Sequence, residues 1–259
     1  MSESPTLLKK QAHERFRAGR AAEAEALLRR AHGLDSRDTQ ILHNLGGLCL
    51  LKEDSSDALA WFQAALAVDP GLAIARLGLA KAHLKTRAAS DALAALAAIP
   101  DAPATDAERG RLRGIALAQS GRAAEARAEL EQVMTLPGGD GPETLRLLAE
   151  LHHGGGDEAA LAPVLERLAA HQPTAYPVHA RLAQALLRVG DLGALNSRLE
   201  RIEAQWTTSP AALDFCAALY QESGQLALAV RTAARARARG LAIDPQNHPH
   251  LARADEWRT

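Results

Sequence analysis

Few of the histidines, carboxylates and cysteines of this chain stand at spacings that chemistry requires. Glu150 and His153 form a Glu-x-x-His pair, which on a helix puts both side chains on one face, the spacing used in di-iron carboxylate bundles. That chemistry needs a second such pair and further carboxylates on facing helices, and the sequence offers neither. His248-Pro249-His250 supplies two nitrogen donors without the additional ligands of a zinc site. Gly154-Gly155-Gly156 follows no strand pattern and precedes no Lys-Ser or Lys-Thr, so it reads as a hairpin turn and not as a phosphate loop. No Gly-x-Ser-x-Gly elbow occurs to set up a nucleophilic serine. Cys49 and Cys216 lie inside apolar helical patterns, which excludes a disulfide framework and gives no thiol a cationic, exposed setting. The expectation is a chain with no catalytic residue, no metal site and no cofactor.

The elements around these residues are helices. Of the 259 residues, 47% are hydrophobic but only 3% aromatic, so the core must be built from Leu, Ala and Val, which suit closely packed helices. A net charge of −1 gives no unspecific attraction to nucleic acid or to a membrane, and so few aromatic rings serve base stacking poorly. Nowhere do eighteen apolar residues run together, and residues 1–10 show no cationic start followed by an apolar run. A soluble protein of a reducing, cytoplasmic compartment is expected, with no membrane insertion.

A repeat organises the chain. Gly19-Arg20-Ala21-Ala22-Glu23-Ala24 returns as Gly121-Arg122-Ala123-Ala124-Glu125-Ala126, an offset of 102, three times 34. Steps of 34 from Ala24 reach Ala58, Ala92 and Ala126, while the glycines Gly156, Gly190 and Gly224 are again 34 apart. Gly156 is 35 from Gly121, so one residue is inserted, and the stretch from Pro137 to Pro142 is the place for it: a flexible joint or a tight turn. Each unit carries two amphipathic patterns, as in Ile41, Leu42, Leu45, Leu48 and Cys49 followed by Ala58, Leu59, Phe62, Ala65 and Leu66. Small residues recur in the first pattern at Ala12, Gly46, Ala80, Gly114, Ala149, Ala183 and Ala217, where a larger side chain would hold paired helices apart.

The period of 34 with its small, apolar and proline columns resembles the tetratricopeptide repeat (TPR) family, most closely over Thr39 to Leu72. The resemblance covers nearly the whole chain and implies an all-α, right-handed superhelical solenoid of about seven helix-turn-helix repeats. These begin near Pro5, Thr39, Ala73, Ala107, Pro142, Tyr176 and Pro210: repeats one to four over 5–141, five to seven over 142–243, and a capping segment or tail over 244–259. The third unit departs from the family pattern, closing with Ile99-Pro100-Asp101-Ala102-Pro103 in place of an aspartate-proline pair.

In such a solenoid the first helix of each pair lines a concave groove, the default binding surface. Periodicity turns Lys9, Lys10, His13, Phe16 and Arg17 outward there, with His43, Asn44, Gly47, Leu50 and Leu51, then Lys81, Leu84 and Lys85, then Arg111 and Gln119. This N-terminal half reads as basic with apolar spots, which suits an acidic or extended segment of another protein. Lys9 and Asn44 match the carboxylate clamp of chaperone-tail receptors in the family, but His13, Ile74 and Gly78 stand where asparagine, lysine and arginine are needed. The C-terminal groove is mixed in sign, with Arg181 and Arg188 among Glu143, Glu150, Asp214 and Glu222. The expectation is a non-catalytic protein-binding scaffold or adaptor. The alternative is an accessory module presenting substrate to a separate sulfotransferase, glycosyltransferase or 2-oxoglutarate oxygenase. Self-association through the terminal repeat, with Leu226, Leu228 and Val230, is a further possibility.

Overall fold

The structure, a computed structural model, describes residues 3–100 and 103–241; the tail expected to cap the chain and its His248-Pro249-His250 lie outside them. Contacts divide the chain into two compact units, Met1–Asp140 and Gly141–Thr259. The described residues form fourteen helices and no strand. In the first unit these are α1 (Pro5–Arg17), α2 (Ala21–Leu34), α3 (Thr39–Leu51), α4 (Ser55–Val68), α5 (Ala73–Lys85), α6 (Ala89–Ala97), α7 (Pro103–Gln119) and α8 (Ala123–Val133). In the second they are α9 (Pro142–Gly154), α10 (Glu158–His171), α11 (Tyr176–Val189), α12 (Leu192–Gln205), α13 (Pro210–Glu222) and α14 (Leu226–Ala238). Each unit is an all-α solenoid of antiparallel hairpins. α7 begins a turn before the expected Ala107.

Local chemistry sets the ends of these helices. The side chains of Ser4, Asp38, Asp54, Asp157, Asp191 and Ser209 each accept a hydrogen bond from a first-turn backbone N–H of the helix that follows. Proline sits in the first turn of α1, α9, α11 and α13, where its missing N–H costs nothing. Inside each hairpin one residue turns the chain with a left-handed backbone: Gly19, Gly121, Gly156, Gly190 and Gly224 have φ between 70° and 83°. In the second and third hairpins the same place is held by Glu53 (φ 63°) and Arg87 (φ 58°), which lack glycine's freedom.

The repeat columns are the core. Ala12, Ala80, Ala149, Ala183 and Ala217 are at most 2% exposed, and Gly46 and Gly114 are buried with them. Opposite them Ala24, Ala58, Ala92 and Ala126 are at most 1% exposed. Phe62 is the largest buried ring of the first unit and lies against two glycines. A Cβ on Gly46 would stand 2.8 Å from its Cε1, and one on Gly78 only 2.3 Å. Two helices approach here because neither carries a side chain at the contact. In the turn after α8, Gly139 donates to the Leu136 carbonyl at 2.9 Å, and a Cβ there would fall 1.7 Å from the carbonyl oxygen of Val133. Between the two readings of the glycine-rich stretch, this part of it is a tight turn.

Candidate partner-binding groove

α1 and α3 stand side by side as the first helices of consecutive hairpins, with α2 behind them. Ala12, Ala24, Leu28 and Leu48 are buried and form the floor of a hollow of about 270 Å³. His13, Phe16, His43, Asn44, Gly47 and Leu51 form its walls and mouth. Phe16 is 43% and Leu51 64% exposed, so two large apolar side chains meet water at the rim of an apolar depression. Gly47 keeps the mouth wide, since no atom lies within 4 Å of where its Cβ would be. The groove expected from the sequence included the six wall and mouth residues but none of the four floor residues, of which Ala24 and Leu28 come from the second helix of the hairpin.

His43 is half-buried, tilted against Phe62 with ring centroids 5.6 Å apart, and its Nδ1 has no hydrogen-bond partner among the described residues. Burial, with the charge of Lys81, holds its pKa below the usual histidine value. At neutral pH the imidazole is uncharged and offers the hollow a neutral polar edge.

Five of the cations expected on the groove are paired with carboxylates, four of them on a neighbouring helix or its cap and Arg111 within its own helix. Lys9 Nζ lies 2.6 Å from Asp38 Oδ2 and 3.1 Å from Gln40 Oε1. Lys81 Nζ lies 2.7 Å from Glu108, which Arg111 also binds. Burial alone would raise the pKa of Glu108, but the bonds from Lys81 and Arg111 hold it below the usual carboxylate value. Arg181 binds Glu150 at 2.6 Å, and Arg188 binds Glu158. Of the basic groove expected from periodicity, Lys10, Arg17 and Lys85 are exposed and have no ion-pair partner among the described residues, two of them on α1 beside the hollow. Leu84, expected to face outward, is 7% exposed and packs in the core with Ala80, Leu96 and Ile99. Gln119 bonds back through Nε2 to the Leu84 carbonyl at 3.2 Å.

The carboxylate clamp is incomplete for a structural reason as well. Lys9 is tied to the N-terminal cap of α3, and the Gly78 backbone is pressed so close to Phe62 that any side chain there would have to displace the ring. In the second unit Glu150 is engaged by Arg181, while His153 is exposed and 3.9 Å from Glu158. Among the described residues no group of three or more His, Cys, Asp or Glu could hold a metal ion. Cys49 and Cys216 are buried and unpaired, and burial raises both thiol pKa values. No helix among the described residues is long and apolar enough to cross a membrane.

The second unit also holds a polar cluster that periodicity did not single out. Arg198 is 5% exposed; its Nη1 donates to His179 Nδ1 at 2.9 Å and its Nη2 binds Glu166 at 2.5 Å. The His179 ring packs edge-on to Trp206, which in turn meets Tyr176. The clue lay in an arginine at the centre of the apolar face of α12, flanked by Leu195, Leu199 and Ile202.

Residues 50–115 match the family model described as tetratricopeptide repeat. A comparison with curated protein sequences gives no match. Among solved structures, the fold is similar to a thermophilic TPR protein in Thermus thermophilus (TM-score 0.59, 22% identity, covering 71% of this chain and 100% of that one). It is similar to PilW, a type IV pilus biogenesis factor (0.68, 14%, 81% and 96%). It is also similar to a tetratricopeptide repeat protein from Parabacteroides merdae (0.58, 14%, 97% and 98%). With hairpins in the 34-residue register and the family model matched over residues 50–115, the fold of the described residues is that of tetratricopeptide repeat solenoids.

Proposed function

We propose that this chain is a non-catalytic scaffold that holds an extended or helical segment of another protein against α1 and α3. The observation that carries the reading is the hollow between them, apolar in its floor, with Phe16 and Leu51 exposed at its rim. An apolar side chain of the partner fills the hollow, and acidic residues beside it meet Lys10 and Arg17. His13, His43 and Asn44 offer hydrogen bonds that fix the segment's register. Lys81, Lys85 and Arg111 extend the surface toward α5 and α7, and Arg181 and Arg188 belong to a second, mixed-sign surface. Two buried, unpaired cysteines support a cytoplasmic setting.

Substrate presentation to a separate enzyme would use the same surface and differs only in which protein is captured. Self-association is supported by Leu226 and Val230 of α14, 50% and 38% exposed. The test is affinity enrichment from native lysate with wild type and with the Phe16→Ser/Leu51→Ser double variant. A partner held by wild type and lost by the variant supports the hollow as the site, and a partner held equally by both contradicts it.

A further inference from the structure

A second hollow, independent of the first, opens between α6 and α7. α6 has 9 residues where α2 and α4 have 14. One period after Leu66 of α4 stands Pro100, which removes an N–H donor and disfavours helical backbone at Ile99, so the helix stops at Ala97. The space left is about 590 Å³, with Leu93, Leu96, Ile99 and Leu117 on its apolar side.

Its other side breaks the repeat pattern. From the second hairpin on, the column through Leu45, Leu79, Leu148, Leu182 and Cys216 is apolar, and Leu45, Leu148, Leu182 and Cys216 are at most 1% exposed. In α7 that column holds Arg113, whose side chain is 57% exposed. The neighbouring column of Ile41, Ala75, Thr144 and Ala212, each at most 2% exposed, holds Arg109. Arg122 completes the lining. Three guanidinium groups thus line one side of a depression whose other side is apolar, and no carboxylate belongs to its described lining. Arg109 reaches Asp106 at 3.1 Å and the Ile99 carbonyl at 3.0 Å; Arg122 binds Glu125, and Arg113 stands 3.6 Å from Glu129. The Arg122 pair is exposed on both sides and Arg113 is 57% exposed in a long pair with a partly buried Glu129, and such weak pairs exchange readily for an incoming carboxylate.

We infer that the hollow between α6 and α7 is a second docking site, taking a partner peptide in which an apolar side chain is flanked by carboxylates. The apolar residue lies on Leu93, Leu96, Ile99 and Leu117, and the carboxylates take bidentate bonds from Arg113 and Arg122. Two arginines in columns that carry buried residues in most of the other hairpins sacrifice packing between consecutive hairpins, a local departure of the kind that marks a functional surface.

The test uses the full chain and fluorescently labelled, end-capped pentapeptides with Leu, Phe or Trp at the centre flanked by Glu, against matched Gln peptides. Fluorescence anisotropy is read at about 50 mM salt, where charge contacts are little screened. Wild type should bind the Glu set at least tenfold more tightly than the Gln set. Arg113→Leu, which restores the residue of the column and so keeps the fold, should weaken binding of the Glu set at least tenfold, as should Arg113→Gln. The inference is overturned if neither set binds, if both bind alike, or if both variants bind as wild type does. The Phe16→Ser/Leu51→Ser variant should bind these peptides as wild type does, so failure here and failure of the first hollow are read separately.

Discussion

The backbone of Gly78 in α5 lies so close to the Phe62 ring of α4 that a single added methyl would fall 2.3 Å from Cε1. The contact joins the second hairpin to the third, and it leaves little room for relaxation, because Gly46 presses on the same atoms of the ring. Gly78→Ala should therefore destabilise the chain by about 1–3 kcal/mol despite alanine's better helix propensity. Phe62→Leu in the same chain should restore much of that loss. Urea denaturation of the two single variants and the double variant measures both effects; equal stability of Gly78→Ala and wild type would contradict the packing described.

Glu53 and Arg87 occupy the left-handed turn position that five other hairpins give to glycine. A side chain there costs about 1–2 kcal/mol, partly offset by glycine's greater freedom in the unfolded chain. Glu53→Gly and Arg87→Gly should each raise stability by about 0.5–1 kcal/mol, seen as a higher denaturation midpoint at unchanged slope. A lowered midpoint for both would mean that these side chains hold their turns by contacts that outweigh the strain.

His179 links stability to pH. Its Nδ1 accepts from Arg198, so the folded chain needs the neutral ring, and burial with the Arg198 charge lowers its pKa below 6.5. Between the folded pKa and 6.5 the unfolded chain binds the proton and the folded chain does not, so stability is full above that window and falls as pH drops through it. His43, lowered by burial and by Lys81, acts in the same direction. Denaturation at pH 7.5 and 5.5 should show the loss. His179→Asn keeps an acceptor for Arg198 without a titrating ring and should flatten the slope, while an unchanged slope would remove His179 from the account.

Charge reversal separates paired cations from unpaired ones. Lys9→Glu sets a carboxylate against Asp38, and Lys81→Glu sets one against Glu108, so both should lower stability. Lys10→Glu and Arg17→Glu disturb no described ion pair and should leave thermal stability within about 0.5 kcal/mol of wild type while weakening partner capture. If all four variants melt alike, the pairing described does not hold in solution.

The columns of small and apolar residues were legible because a 34-residue period fixes which positions recur at the same packed interface: Gly46, Ala58 and Phe62 could be placed from spacing alone. The pairing of Lys9, Arg181 and Arg198 was not, because it joins residues on different hairpins. Lys9 meets Asp38, 29 residues on; Arg181 meets Glu150, 31 away; Arg198 meets Glu166, 32 away. A lysine on an outward face reads as free until its counterpart just under one period away is considered. Leu84 was misplaced for a related reason. Its outward register came from the period within α5, whereas Leu84 lies in the core cluster that holds Leu96 and Ile99 of the next helix and turn. Pro100 was visible as a departure from the repeat, but the hollow beside it depends on the length of a helix whose end the repeat pattern does not define.

The most direct test of the central claim places a photoreactive p-benzoylphenylalanine at Gly47, where the mouth of the first hollow leaves open space, and as a control at Ser56, exposed near the start of α4. Irradiation in native lysate should give an adduct from position 47 that carries a peptide with an apolar residue beside carboxylates, and none from position 56. Adducts from position 56 alone, or from neither position, would contradict the assignment of the α1 and α3 hollow as the place where this chain holds its partner.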